Sequence, residues 1–376
     1  MEEFQTLVID NGSYFMKAGF SGDDAPRAVF PTITGRAFNP KSEGIRIGMG
    51  FKEVYFGDVA LNKRGIRYLN HPIQKGLVVD WNDMERVWHH TLYNELRVAP
   101  EEHPILMSEV CWNPKESREK TTEIIFETFN SPAFHLANRS ILSMYASGKT
   151  SGVVFSSGNE VSCSVPVFEG YAINDSISIT NISVKEVTEY FLKLLNERGY
   201  PFTTTYEKEI VKDIKEKCCY VSLDLENELK KDPKELEKQY ELPDGQMITI
   251  GDERFRAVEP FFSPFLLDIK SISFQDSIFF SVSKNDNDLS KILFSNVVLS
   301  GGGTLFPGFK KRIEKEISKK LDNSTKVKVI ALPERKYLNW IGGSIFSSLS
   351  NFLKEHITKE IFEEYGPKIV NTKCPF

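Results

Sequence analysis

The sequence predicts an α/β protein built as two related lobes. Three segments carry that expectation. Leu7-Val8-Ile9-Asp10-Asn11-Gly12-Ser13, Val153-Val154-Phe155-Ser156-Ser157-Gly158 and Val297-Val298-Leu299-Ser300-Gly301-Gly302-Gly303 each set three apolar residues directly before small polar residues or glycine. Such a run, bounded by turn residues, reads as a buried central strand. Each turn then lies at the carboxyl end of its strand, where open α/β sheets collect ligands. The first two segments share one plan, so two similar hairpins facing each other would clamp a phosphate chain from both sides. The glycine run of the third would let a flat ring lie close to backbone. The pattern therefore argues for two α/β halves around a central nucleotide cleft.

The first turn is the richest in chemistry. Its N–H groups can point at an anion, Gly12 admits the backbone, and Lys17 on the return strand adds charge. Asp10, at the strand end, can hold a divalent cation directly or through its waters. A buried hairpin with Asp10 as a plain turn former is the other reading of these residues.

The chain has 376 residues, too many for one ordinary core, which again predicts two large lobes. Forty per cent apolar and 26% charged residues are an ordinary soluble composition. The net charge of −5 offers nucleic acid no basic field. Cys111, Cys163, Cys218, Cys219 and Cys374 are odd in number and follow no framework spacing, which suits a reducing compartment. No signal segment or apolar run of transmembrane length appears, so membrane insertion is not expected. The expected location is the cytoplasm, with the nucleus as the alternative.

In chain order, residues 1–35 read as strands and turns, with a turn cluster at Gly22-Asp23-Asp24-Ala25-Pro26. Residues 37–50 are polar, hold Pro40, Gly44, Gly48 and Gly50, and read as a mobile surface loop. Residues 80–97 read as an amphipathic helix. Asp80 caps it, Asp83 favours its N-terminal dipole, and Met84, Val87, Trp88 and Leu92 form one stripe. Asn113-Pro114 has the cap-then-proline start of a second helix, with Ile124, Ile125, Thr128 and Phe129 on its core face. A further helix is expected over 137–147.

Residues 205–221 read as a helix with Ile210, Val211, Ile214 and Cys218 on one face. Lys215 and Glu216 beside that stripe are either solvated charges or reach a ligand. The charge-dense stretch 226–241, containing Pro233, reads as an exposed, partly helical excursion. Residues 309–321 turn Phe309, Ile313, Ile317 and Leu321 inward. Residues 340–352, with Gly342-Gly343, read as a closely packed helix. No low-complexity linker appears, so the lobes are joined by chain crossovers. The expected lobes are 1–145 completed by 338–376, with a small subdomain inserted at about 32–71, and 146–337, with another at about 183–270.

Longer strings bring a family into view. Asp10-Asn11-Gly12-Ser13, Lys17-Ala18-Gly19-Phe20, the run from Gly22 to Pro31, Trp88-His89-His90 and the run from Tyr93 to Pro104 closely resemble actin. So do Leu242-Pro243-Asp244-Gly245-Gln246 and Pro333-Glu334-Arg335-Lys336-Tyr337. The resemblance runs from residue 6 to Phe376, with an insertion in the loop near residue 40. It implies the fold shared with heat-shock chaperone ATPase domains and sugar kinases. It also implies a cleft for ATP or ADP with Mg or Ca, and head-to-tail filament growth. The internal repeat reaches the fold class independently; the filament comes from the resemblance alone.

Carried over by matching position, Asp10 lies at the metal's water shell. Gly12, Ser13, Tyr14 and Lys17 belong to the first phosphate turn, and Gly158, Asn159 and Glu160 to the second. Lys215 and Glu216 approach the adenosine, Gly301, Gly302 and Gly303 pass under it, and Phe306 and Lys336 border the base. Tyr145, Gly148, Thr150, Tyr171, Phe346 and Leu349 border a partner groove, with Glu355 on its rim. The resemblance thus implies self-association and actin-type binding proteins as partners.

The departures bear on chemistry. Similar proteins carry Asp-Ser-Gly-Asp-Gly-Val in the second turn; this chain has Ser156-Ser157-Gly158-Asn159-Glu160-Val161. Tyr14 stands where the family has glycine. Arg139 and Cys163 replace the glutamine and histidine that place and activate the attacking water. Phosphoryl transfer to water needs a positioned water, a held metal and neutralised charge. Arg139 accepts no proton, and Ser156 offers the metal shell no carboxylate. Glu160, at about 5 Å from a phosphate charge and an effective dielectric of about 20, would repel it by roughly 3 kcal/mol. Arg139 would offset much of that by pairing with Glu160; the alternative is that Arg139 turns to Asp10. In the filament surfaces, Arg46 stands in the long loop at 38–50, His356 follows Glu355 on the groove rim, and Lys75 replaces the histidine of the phosphate-sensing loop.

These residues lead to an actin-like cytoskeletal protein with a mainly structural nucleotide cleft and weak or absent ATP hydrolysis. A conventional polymerising ATPase and a non-filamentous subunit of a larger assembly are the alternatives.

Overall fold

The computed structural model describes residues 5–37, 54–62, 67–322, 325–349 and 352–375. The loop at 38–50, and Arg46 with it, lies outside them. The chain divides into two compact units, residues 1–146 with 337–376, and residues 147–336.

The first unit is organised on a six-stranded sheet. Its order is Ile357–Thr358, Ala133–Asn138, Ile105–Glu109, Leu7–Asn11, Phe15–Phe20, Ala28–Pro31. Leu7–Asn11 runs antiparallel to Phe15–Phe20 on one side and parallel to Ile105–Glu109 on the other. The second unit repeats the plan. Gly152–Ser157 pairs antiparallel with Ser162–Phe168 and parallel with Val297–Ser300, which in turn pairs parallel with Val329–Ile330. Each unit thus opens on a hairpin whose first strand sits beside a distant parallel strand. Residues of adjacent parallel strands come level at their carboxyl ends: Asp10 opposite Ser108, and Ser156 opposite Ser300.

Apolar burial holds these sheets. In the first unit Leu7, Ile9, Met84, Trp88, Met107 and Phe134 are sealed from solvent on one face. Val8 and Leu106 on the other face pack with Leu142 of the helix Arg139–Ala146 and Trp340 of the helix Leu338–Ser347. In the second unit Phe155, Phe261, Phe274 and Phe309 form an aromatic cluster, with Phe261 and Phe274 stacked at 4.4 Å between centroids.

The helix expected over 80–97 forms. Asp80 accepts from the Asp83 N–H, and all four stripe residues are buried. Its second half, His90–Leu96, widens to π-helical geometry, and Arg97 in left-handed conformation (φ 57°) ends it. Four other expectations need correction. Pro114, not Asn113, is the cap of the helix Lys115–Glu127, because the Asn113 amide donates to Glu109 Oε2 at 2.9 Å. Thr128 is exposed at that helix's end rather than on its core face. Ala137 and Asn138 finish a strand opposite Ser108 and Glu109, so the next helix starts at Arg139. The helix expected over 340–352 stops at Ser347, where Ser347 and Ser348 hydroxyls bond back to the carbonyls of Gly343 and Ser344.

Gly342 sets the closeness of the last helix to Arg139–Ala146. A Cβ there would lie 1.8 Å from the Leu142 carbonyl oxygen, backbone that cannot swing aside. Gly342→Ala is expected to cost about 3 kcal/mol or more, read as a lowered thermal midpoint with residual far-UV signal retained. A variant with an unchanged midpoint would contradict this packing.

Candidate functional site

In the first unit the polar residues gather around Asp10, which the sheet brings to the carboxyl end of its central strand. Asp10 is buried, and both its oxygens are engaged. Lys17 Nζ donates to Oδ2 at 2.7 Å and Ser108 Oγ to Oδ1 at 2.5 Å. Arg139 Nε lies 3.4 Å from Oδ1 and donates to Ser108 Oγ at 3.2 Å, while Nη2 donates to the Asn11 carbonyl. Burial alone would raise the Asp10 carboxyl. The charges of Lys17 and then Arg139, with the hydrogen bonds, outweigh it and hold the group at about 2.

The turn after Asp10 is tied from three sides. Gly12 N–H donates to the Asp10 carbonyl, Thr32 Oγ1 donates to the Gly12 carbonyl, and Gly76 N–H donates to Ser13 Oγ at 3.0 Å. The last bond joins the Lys75-Gly76 turn to the hairpin, with Lys75 at φ 48°. Trp88 Nε1 donates to Asn11 Oδ1 at 3.0 Å, which anchors the strand end to the long helix. The Ser13 N–H has no partner among the described residues.

In the second unit the corresponding turn is held by the start of the helix Val184–Glu197. Val184 N–H donates to the Gly158 carbonyl, and Lys185 N–H and Ser183 Oγ donate to the Asn159 carbonyl. Ser156 stands opposite Cys163 in the hairpin, and Cys163 is buried. The third turn packs on the second. Gly301 has φ 85°, and a Cβ there would meet the Ser157 carbonyl oxygen at 2.3 Å; one on Gly303 would meet Ser157 Oγ at 2.4 Å. Gly302 is exposed, and a Cβ on it would meet nothing within 4 Å. Gly158 and the glycine run therefore share one end of one sheet.

Lys215 departs from the reading as a solvated charge. It is 2% exposed, and its Nζ donates to Thr188 Oγ1 at 2.6 Å, a neutral partner. Burial, opposed by the Glu216 charge, lowers this ammonium to about 8. Glu216 itself is exposed. Phe306 is buried, its ring 6.0 Å from that of Phe261, and Lys336 is half-buried.

The groove residues fall in both units. In the first, Tyr145 stacks on Phe346 at 5.7 Å, Leu349 is 48% exposed, and Glu355 is exposed. In the second, Gly148 takes φ 68°, the Thr150 carbonyl accepts from Gly170 N–H, and Tyr171 is 68% exposed.

The family model described as Actin matches residues 1–375. The chain belongs to the actin family. Putative actin-29 of Dictyostelium discoideum is 47% identical over 375 residues, which span 98% of this chain and 96% of that protein. The doubled sheet is thus the two-lobed α/β actin fold. Actins bind nucleotide with a divalent cation, and the donor set here can be tested against that group. Among the described residues no cluster of three or more His, Cys, Asp and Glu is placed to hold a metal. Asp10, the one carboxylate of its turn, has each oxygen taken by protein donors. Glu109 on the neighbouring strand is engaged by Arg118 and Asn113. As they stand, these residues offer a divalent cation no direct ligand set, because Lys17 and Ser108 already donate to Asp10.

Sequence reading missed Ser108 and Thr188. Ser108 had a signal, since Ile105-Leu106-Met107-Ser108 is a further apolar triplet ending in a small polar residue. Thr188 had none, because its role comes from the packing of two helices.

Proposed function

We propose that this chain is an actin-like cytoskeletal protein whose bound nucleotide, ATP or ADP, braces the fold and is hydrolysed slowly or not at all. The observation that supports this best is Arg139. This residue stands in the sequence where similar proteins carry the glutamine that orients water, and its guanidinium is held by Asp10, Ser108 and the Asn11 carbonyl. In this reading Gly12, Ser13, Tyr14, Lys17, Gly158, Asn159 and Glu160 receive the phosphates. Lys215, Glu216, Gly301, Gly302, Gly303, Phe306 and Lys336 receive the nucleoside. The groove residues Tyr145, Gly148, Thr150, Tyr171, Phe346, Leu349 and Glu355 take a second copy or an actin-binding protein. Gently purified protein is expected to carry close to one nucleotide per chain; nucleotide-free, fully folded protein would overturn the reading. A conventional polymerising actin is the second reading, favoured by 47% identity to a putative actin over nearly the whole chain. Sedimentation with electron microscopy, with and without ATP, shows whether the chain forms filaments.

A further inference from the structure

Arg139 brings a second cation to the first turn, where the family carries an uncharged amide. Nε is spent on Asp10 and Ser108, and Nη2 on the Asn11 carbonyl. Nη1, with two N–H donors, has no partner among the described residues, and the side chain keeps 17% of its exposure. Lys17 spends one of its three N–H donors, on Asp10. Asp10, Lys17 and Arg139 together carry one net positive charge; with glutamine in place of Arg139 they would carry none. Glu109 on the neighbouring strand also feels the Arg139 charge, but Arg118 Nε and Nη2 pair with it at 3.1 and 3.0 Å, so that pair adds no net charge to the balance.

The cluster has therefore exchanged a place for a cation for a cation of its own. A metal ion coordinating Asp10 directly would have to displace Lys17 or Ser108 from its oxygens, and one held through its waters would sit beside two fixed like charges. A phosphate meets the opposite situation. It finds unspent guanidinium and ammonium donors, the pairing that charge-assisted hydrogen bonds favour, and the unpaired Ser13 N–H.

We propose that Arg139 supplies from the protein the positive charge that a divalent ion brings to nucleotide in other actins, so that this chain binds nucleoside di- and triphosphates without divalent metal. The inference rests on the reading that the chain binds nucleotide.

The test is displacement of a fluorescent ATP analogue from the full chain by ATP and by ADP, in excess EDTA and in excess magnesium. Wild-type affinity is expected to change by less than about threefold between the two conditions. Arg139→Gln should lose at least about tenfold in EDTA and regain most of it in magnesium, since one charge-assisted contact is worth that much. Arg139→Lys, which keeps the charge, should bind more weakly but stay insensitive to the chelator. A wild-type loss of about tenfold or more on chelation would overturn the inference while leaving nucleotide binding intact. Failure of either nucleotide to displace the analogue in both conditions, or of the analogue to bind, would remove both. Should Arg139→Gln not fold, the wild-type comparison decides alone.

Discussion

Phosphate release from bound ATP is expected to be at least about a hundredfold slower than from a conventional actin under matched conditions, because general-base assistance alone is commonly worth that much. The three changed positions fail in different ways. Arg139 is held by Asp10, Ser108 and the Asn11 carbonyl and accepts no proton. Cys163, paired across the hairpin from Ser156, is buried and lacks the imidazole's two hydrogen-bonding nitrogens. Ser156 has no carboxylate to order water around a metal. Residues that act as one unit are not additive. Arg139→Gln alone should therefore recover less than about threefold. The combination Arg139→Gln, Ser156→Asp, Asn159→Asp, Glu160→Gly and Cys163→His should recover most of the rate. Single-turnover phosphate release on homogeneous protein is the measurement, and a wild-type rate matching the conventional protein would end this account.

Replacing Lys215 should make the free protein more stable and its nucleotide binding worse. The ammonium is lowered from an ordinary value of 10.5 to about 8, chiefly by burial. Between those values the unfolded chain holds more protons, so stability rises with pH across that window and the cost of the buried charge is complete below pH 8. The shift corresponds to roughly 3 kcal/mol at neutral pH. Thr188, as a neutral partner, cannot offset it. Lys215→Met keeps the aliphatic stem and removes the charge. Its thermal midpoint at pH 7 is expected to exceed that of wild type, the two curves closing as pH approaches 10, while affinity for ATP falls by about tenfold. A variant less stable than wild type at pH 7, or one that binds ATP equally well, would mean that Lys215 is a packing residue.

The fold was legible because its repeat is written in short strings. Apolar triplets followed by small polar residues mark Leu7–Asn11, Gly152–Ser157 and Val297–Ser300, and each lies beside a parallel strand within its own unit. Helix ends were less legible, since distant partners decide them. Asn113 carries a good capping side chain, yet Glu109 claims it. Ala137 has a helix former's propensity, yet sheet pairing with Ser108 keeps it extended. The site divides in the same way. Lys17 and the glycines are visible as local patterns, and Arg139 is visible as a change of residue type. That Arg139 turns to Asp10 depends on two residues brought together from far apart in sequence. The burial of Lys215 depends on how one helix lies against another, which its spacing leaves open.

The first unit is closed by residues made after the whole of the second. Its helix Leu338–Ser347 and edge strand Ile357–Thr358 follow the whole of the second unit, residues 147–336, which is continuous in sequence. A ribosome adding about 5–20 residues per second needs roughly ten to forty seconds to cross that interval. Through it, Val8, Leu106 and Leu142 lack the Trp340 that buries them, and the Ala133–Asn138 strand lacks its neighbour. The younger unit can finish while the older one still presents an apolar sheet face and an open edge, the surfaces most prone to wrong pairing. The yield of native protein is therefore expected to depend on what shields that face during synthesis.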